Sequence, residues 1–374
     1  MIYKIIKSLM KRLKLKKIIL FESNPDFSDN TYALFRYMSN NTNILDNYKS
    51  IWFMSDISKN KKKLCGKEIK CIDMYSRKIT DIIKRNYYYF FASIIIDCNK
   101  CIGKYRDDQL RIYLTHGMPF KDPVDYMNKI GECDLLSVSG EGYIDYFSKY
   151  VNKDSIRFLG LPRNDLLFLR HKEENEKIIV WMPTFRQHNR NNENGITNEF
   201  ALGIPIIKCC DEFNNLINYL ESKHIIMFFR PHPAQDLSLI KIHNSYYFRI
   251  LDNKYLEDNN LQLYEFLSKT SALITDYSSV YNDYLLTEKP IGLTFEDIDV
   301  YQKKWKIFYK NPYKSIPGNK INNINDLYNF IDEVYEEKDI YFDGRMKFMK
   351  LWGIKKINSC EMITNYIIEY LSNK

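Results

Sequence analysis

The feature that most constrains this chain is a repeated alternation. Short, almost continuous apolar runs are separated by stretches with helical spacing. Lys17–Phe21 (KIILF), Ser50–Met54 (SIWFM), Ser93–Asp97, Arg111–Thr115 (RIYLT), Leu135–Ser139 and Ile156–Leu159 read as strands. Tyr32–Met38 and Asp81–Phe91 read as helices between them, and Ser23–Asn30 as a polar loop. Runs that are apolar throughout, and not at every second position, belong to strands buried on both faces, which is the signature of a parallel sheet covered by helices. Around Leu166–Lys177 the chain turns polar and charged (RHKEENEK), and a second set of strands follows: Lys177–Met182, Ile225–Arg230, Ser245–Ile250, Ala272–Thr275 and Pro290–Thr294. Phe213–Ser222 and Val280–Thr287 are the clearest helices between these strands, and 325–337 and 358–372 read as terminal helices. The expected fold is α/β, with two Rossmann-like parallel-sheet domains over 17–170 and 171–374, the last helix being able to cross back to the first. Open sheets of this kind bind ligands outside the carboxyl ends of their strands, here in a cleft expected between the domains.

The charge is unevenly placed. The formal net charge is +8, and Lys4, Lys7, Lys11, Arg12, Lys14, Lys16 and Lys17 supply seven of it with no acid before Glu22. A uniformly basic nucleic-acid binder would not look like this, and no nucleic-acid partner is expected. Within residues 1–16, Ile2, Ile5, Ile6, Leu9 and Leu13 recur at helical spacing with the lysines on the other face. Such a basic amphipathic helix fits an anionic membrane surface, contacted by residues 1–17; packing against its own domain is the alternative. No apolar run approaches the roughly 18–20 residues that cross a bilayer, and lysines interrupt the first apolar stretch, so a secretory signal is not expected. The expected location is cytoplasmic, at a membrane surface. Eight scattered cysteines do not make a disulfide framework, and Cys98-Asn-Lys-Cys101 has no second pair at ligand spacing.

Chemistry-bearing residues cluster directly after strands. Thr115-His116-Gly117-Met118-Pro119-Phe120 follows RIYLT, and its Gly and Pro turn the chain so that His116 stands at the strand end. His116 reads either as a general base or as a hydrogen-bonded structural histidine. Arg230-Pro231-His232-Pro233 follows IIMFF; two prolines stiffen the histidine beside a permanent cation, as a phosphate oxygen would require, unless this is an ordinary loop. Thr275-Asp276-Tyr277-Ser278-Ser279 precedes a helix and offers hydroxyls and N–H groups to an anion, or simple N-capping. Asp283 lies four residues after Ser279, on the same helical face, where it could accept from a polyol or sugar hydroxyl. Pro183-Thr184-Phe185-Arg186 and Pro162-Arg163-Asn164-Asp165 each put an arginine fork at a strand end. Neither G-x-G-x-x-G nor G-x-x-x-x-G-K-[ST] occurs, which argues against dinucleotide oxidoreductases and P-loop ATPases. No metal motif is present, and neither a metal nor a cofactor is expected.

Taken in order, HGMPFK, GLPRND, PTFR, RPHP, ITDYSSVYNDYLL and SIPG resemble the CDP-glycerol glycerophosphotransferase family, from about Lys17 to Asn373. The resemblance implies a GT-B-like fold. It implies transfer of a polyol phosphate, glycerol phosphate first among them, from a CDP-activated donor to a hydroxyl of a lipid-linked or glycan acceptor. CMP is released, in teichoic acid or capsule synthesis at the cytoplasmic face of the membrane. It further implies His116 as base and His232 at the donor pyrophosphate. Gly117, Met118, Pro119, Phe120, Arg163, Thr184, Arg186, Arg230, Pro231, Thr275, Asp276, Ser278, Ser279 and Asp283 would bind substrate. Met118 stands where the family usually has Thr, Arg230 where Lys is common, and the C-terminal DG element reads Phe342-Asp343-Gly344-Arg345 without a neighbouring serine-rich stretch. A GT-B glycosyltransferase using a nucleotide sugar is the alternative.

Overall fold

The structure, a computed structural model, describes residues 13–120, 127–169, 176–184, 200–232, 235, 237–304 and 307–373. Most of the expected basic helix therefore lies outside the described residues, as does Arg186. The chain divides into two compact units. The first comprises Met1–Met118, Val124–Asp165 and Lys356–Lys374, and the second Pro119–Pro123 and Leu166–Lys355.

The first unit holds an eight-stranded sheet built from β1 (Lys16–Glu22), β2 (Lys49–Met54), β3 (Lys63–Leu64), β4 (Lys67–Asp73), β5 (Ala92–Asp97), β6 (Leu110–Tyr113), β7 (Leu135–Val138) and β8 (Ile156–Phe158). Their order is β3-β4-β2-β1-β5-β6-β7-β8, parallel except for the β3–β4 pair. The order reverses between β1 and β5, the arrangement of a doubly wound sheet. Alternate residues of β1 serve two cores. Ile19 and Phe21 face a cluster with Leu34, Phe35 and Met38 of helix α1 (Asp29–Asn41) and with Cys360, Ile363 and Ile367 of the C-terminal helix Ser359–Ser372. Ile18 and Leu20 face the other side, with Ile51, Phe53 and Tyr88. Trp52 is fully buried and stacks on Phe21 with ring centroids 5.2 Å apart.

Helix α2 (Ile79–Phe91) covers the second face with Tyr88, Tyr89 and Phe91, yet leaves Ile79 and Ile83 exposed at 68% and 61%. Lys16 packs at the C-terminal end of this helix, its ammonium 4.9 Å from the Tyr87 ring centroid and 5.0 Å from that of Phe91. Among the described residues no helix is long and apolar enough to cross a membrane.

The C-terminal helix belongs to the first unit because that unit caps it. The Asp165 carboxylate accepts the backbone N–H of Ser359 at 2.9 Å and of Cys360 at 2.8 Å, occupying two donors that a helix start leaves orphaned. Gly160, at φ +74°, makes room for the returning chain: a Cβ there would sit 2.2 Å from Ser359 Oγ and 2.9 Å from Ile357 Cδ1.

The second unit has a wholly parallel six-stranded sheet of β9 (Lys177–Met182), β10 (Ile225–Phe229), β11 (Phe248–Ile250), β12 (Ala272–Thr275), β13 (Ile291–Thr294) and β14 (Asn319–Ile321), ordered β11-β10-β9-β12-β13-β14. Here the order reverses between β9 and β12. One face packs Ile179, Trp181, Met227 and Phe229 against α3 (Cys210–Ser222), with Phe213, Leu216 and Leu220 inward. On the other face Phe228 meets Tyr255 of α4 (Asn253–Asp258) and Phe266 of α5 (Leu263–Lys269), centroids 5.3 and 4.9 Å away. The helix after β12 is shorter than the sequence suggests: α6 spans Val280–Tyr284, and Leu285–Thr287 tighten into a 3₁₀ turn.

Candidate active site

In the second unit, the two strands flanking the reversal carry two of the expected clusters. Pro183-Thr184 follows β9, and Asp276-Tyr277-Ser278-Ser279 follows β12. The reversal point of a doubly wound sheet leaves a crevice at the strand ends, because the connections leave it in opposite directions. The two clusters are tied to each other. Asp276, fully buried, accepts the Thr184 N–H at 2.9 and 3.0 Å and the Thr184 hydroxyl at 3.0 Å. Thr275, also buried, donates its hydroxyl to the Met182 carbonyl at 2.8 Å. Thr275 and Asp276 thus align the two strand ends, and Ser278 and Ser279, half-buried, stand at the rim. Asp283 lies fully inside the unit, where it accepts the Tyr264 hydroxyl at 2.5 Å. Asp283, expected to accept from a polyol or sugar hydroxyl, here accepts from a tyrosine within the packing of α6.

Next to β9, the end of β10 carries Arg230-Pro231-His232. The Arg230 N–H donates to the Trp181 carbonyl at 2.8 Å, fixing the strand end. Its guanidinium donates to the Leu251 carbonyl at 2.9 Å and to Asn253 Oδ1 at 2.8 Å. Burial lowers its pKa to about 10, with Asp252 opposing, so it remains a cation at neutral pH. Pro231 and His232 are half-buried, and the His232 carbonyl accepts the Gln235 N–H at 2.8 Å.

Phe120 also belongs to the second unit. Its ring is packed among Tyr277, Tyr281, Phe295 and Tyr309, with centroids 5.4–6.4 Å away, and its carbonyl accepts the Phe308 N–H at 2.9 Å. Tyr277 stacks on Tyr301 at 3.9 Å and donates to Asp297 at 3.0 Å. Phe120 therefore anchors its segment by burying its ring. Pro119 is buried as well.

The first unit presents His116. The imidazole-bearing residue is exposed, while Thr115, Gly117 and Met118 around it are buried. The turn is sharply bent: Thr115 lies at φ +47° and Gly117 at φ +143°, a backbone state that favours glycine at the second position. The Thr115 hydroxyl donates to the Gly117 carbonyl at 3.2 Å, closing the turn across His116. Met118 is fully buried. Arg163 is nearly buried, and its guanidinium pairs with Asp29 at 2.7 Å. Its charge is therefore already matched within the first unit.

Two residues that the sequence reading placed in a polar loop take part here. Asp29 and Asn30 form the first turn of α1, and Asn30 is fully buried. The Asn30 amide donates to the Thr115 carbonyl at 2.8 Å and to that of Leu114 at 3.4 Å, and accepts the Arg163 N–H at 3.1 Å. Ser-Asp-Asn before an apolar periodic run is a helix-start signal that would have placed them. A third residue is Glu22, at the end of β1 beside the reversal point. It is fully buried, and its Oε2 accepts the N–H groups of Cys98, Asn99 and Lys100 at 3.1–3.4 Å. Burial pushes its carboxyl up to about 7 despite those bonds, and Asp97 adds to the rise.

Comparison with known proteins places this arrangement. The profile of the family described as CDP-Glycerol:Poly(glycerophosphate) glycerophosphotransferase matches residues 4–369. The teichoic acid ribitol-phosphate polymerase TarK of Staphylococcus aureus is 26% identical over 254 residues, covering 62% of this chain and 45% of the relative. The teichoic acid glycerol-phosphate primase of Bacillus subtilis is 25% identical over 256 residues, covering 64% of this chain and 58% of the relative. The chain thus spans about half the length of these two relatives. Among solved structures, the wall teichoic acid polymerase TagF superposes with a TM-score of 0.71 at 21% identity, over 98% of this chain and 93% of that one, which identifies the fold as GT-B-like.

Proposed function

This chain belongs to the CDP-glycerol:poly(glycerophosphate) glycerophosphotransferase family, and from that membership we propose that it transfers a polyol phosphate from a CDP-activated donor to a hydroxyl of a lipid-linked or polymeric acceptor, releasing CMP. The observation that carries this reading is the placement of cations, hydroxyls and an exposed imidazole at strand ends. Arg230, His232, Ser278 and Ser279 gather at the ends of β10 and β12 in one unit, and His116 projects from the end of β6 in the other. Relatives named for glycerol phosphate and for ribitol phosphate are about equally similar, which supports a polyol phosphate as the transferred group, glycerol phosphate first among them.

In the proposed reaction the acceptor oxygen attacks the donor phosphorus that bears the polyol. A new P–O bond forms, and the bond from that phosphorus to the bridging oxygen breaks. The bridging oxygen and its electron pair leave with CMP, while His116 takes the acceptor's proton. Arg230 stays charged at neutral pH and, with His232 and the hydroxyls of Ser278 and Ser279, offsets the negative charge on the phosphates and on departing CMP. Phosphoryl transfer leaves the protein mainly the tasks of positioning and charge stabilisation, and this residue set suits both. The reaction would take place at a membrane surface. The exposed Ile79 and Ile83 of α2, flanked by Lys78 and Lys84, support that location alongside the basic segment 1–17.

The test supplies CDP-glycerol or CDP-ribitol with a crude membrane lipid extract and measures CMP. One donor should release CMP and form a phosphodiester, and His116→Ala should slow release by roughly 10²–10⁴-fold. A glycosidic product from a nucleotide sugar, or full turnover by His116→Ala, would overturn the assignment.

A further inference from the structure

We propose that Asn30, held by the Asp29–Arg163 ion pair, is a positioning residue that fixes the direction of the His116 imidazole. The inference rests on the reading of His116 as the base. Four observations carry it. Thr115, a β-branched residue, is kept at φ +47°, a state that persists only where surrounding contacts enforce it. One contact on this turn from outside it is the Asn30 amide, which donates to the Thr115 and Leu114 carbonyls at 2.8 and 3.4 Å, immediately before His116. The other half of the amide is also engaged, because its oxygen accepts the Arg163 N–H at 3.1 Å. A flipped amide would set two donors face to face at Arg163 and two acceptors face to face at Thr115, so the orientation is fixed by its partners.

Asp29 locks this arrangement in turn. Its carboxylate accepts the Asn30 N–H at 2.8 Å and the Arg163 guanidinium at 2.7 Å. The result is a chain of side chains running from Arg163 of the Pro162–Asp165 cluster, through the start of α1, to the turn that carries His116. An apolar residue at position 30 would serve to pack α1 on its sheet. A buried amide with every partner aimed at the His116 turn and its brace is costly unless that geometry matters.

The experiment uses the full chain, CDP-glycerol or CDP-ribitol as donor, whichever releases CMP, and a crude membrane lipid extract as acceptor. It compares wild type, Asn30→Ala, Asp29→Asn, His116→Ala and the His116→Ala/Asn30→Ala double variant. Asn30→Ala should lower kcat by on the order of 10–10²-fold, as a misplacement of about 1 Å does, with donor KM changed less than about twofold. Asp29→Asn, a milder change at a less buried residue, should move kcat in the same direction by a smaller factor and serves if Asn30→Ala fails to fold. Adding Asn30→Ala to His116→Ala should cost nothing further, because the base it positions is already gone. An equal loss in both backgrounds would show a purely structural role and overturn the proposal. A second readout does not depend on turnover: amide hydrogen exchange across residues 114–118 should quicken at least tenfold in Asn30→Ala, and unchanged protection there would also overturn it. Should wild type release no CMP from either donor, or His116→Ala turn over normally, the parent reading fails and this inference falls with it. Loss of turnover in His116→Ala with normal kcat in Asn30→Ala would refute the positioning role alone.

Discussion

Removing the Asp276 carboxylate should free the end of β9 from the end of β12. The carboxylate is fully buried and takes both the N–H and the hydroxyl of Thr184, the N–H through both of its oxygens. Hydrogen bonds to a charged acceptor contribute about 1.5–3 kcal/mol each. Asp276→Ala forfeits two such donors but also removes a buried charge whose desolvation was unfavourable. The net local loss is about 2–4 kcal/mol, which converts to a roughly 30- to 1,000-fold larger opening constant for that strand end. Thr184→Val keeps the backbone bond and loses only the hydroxyl bond, so it should cost about 1 kcal/mol, or roughly a fivefold change. The assay is hydrogen exchange resolved by peptide. Residues 181–184 should quicken strongly in Asp276→Ala and mildly in Thr184→Val, while Ile225–Phe229 in the neighbouring strand should change much less. Exchange at 181–184 within twofold of wild type in Asp276→Ala would refute the reasoning. It would mean that sheet hydrogen bonds alone hold this corner.

Gly160→Ala should displace the C-terminal helix, since its Cβ would sit 2.2 Å from Ser359 Oγ at a positive φ. A loss of about 2–4 kcal/mol in the stability of residues 359–372, read by exchange or limited proteolysis, is expected, and a change below about 0.5 kcal/mol would contradict it. Glu22→Gln should flatten the pH dependence of stability. With a native pKa near 7 against an ordinary 4.5, wild-type Glu22 binds its proton more tightly when folded. Its favourable contribution is complete below about pH 4.5 and is lost as pH rises through 7, a swing of about 3 kcal/mol. Gln retains the acceptor for the three N–H groups and does not titrate. Parallel stability–pH curves for the two proteins would exclude Glu22 as the source.

The central strands were legible because nothing else in the sequence resembles them. Lys177–Met182 and Ala272–Thr275 are strands with the bounds their apolar runs suggest. The edges were not legible. β4 (KEIKCID) is half exposed and interspersed with charges, and β14 is three residues long, so neither makes an apolar run. Helices α4 and α5 were missed because they are six and seven residues long, too short for periodicity to register. In the site, the clusters fell at strand ends as their spacing suggests, but the side chains of Asp276, Asp283, Met118 and Phe120 point into packing. A polar or aromatic residue beside a motif carries no mark of which way it faces. That choice is made by partners distant in sequence, such as Tyr264 for Asp283 or Tyr309 for Phe120.

The cap at Asp165 joins residues 194 positions apart. During synthesis at about 5–20 residues per second, roughly 10–40 s pass between emergence of the acceptor and emergence of the helix it holds. Through that interval the sheet side formed by Ile19, Phe21 and Trp52 lacks the cover that Ile363 and Ile367 later supply. The early-made half of this molecule must therefore wait, with a greasy flank open to the ribosome's surroundings, while the entire later-made half is translated.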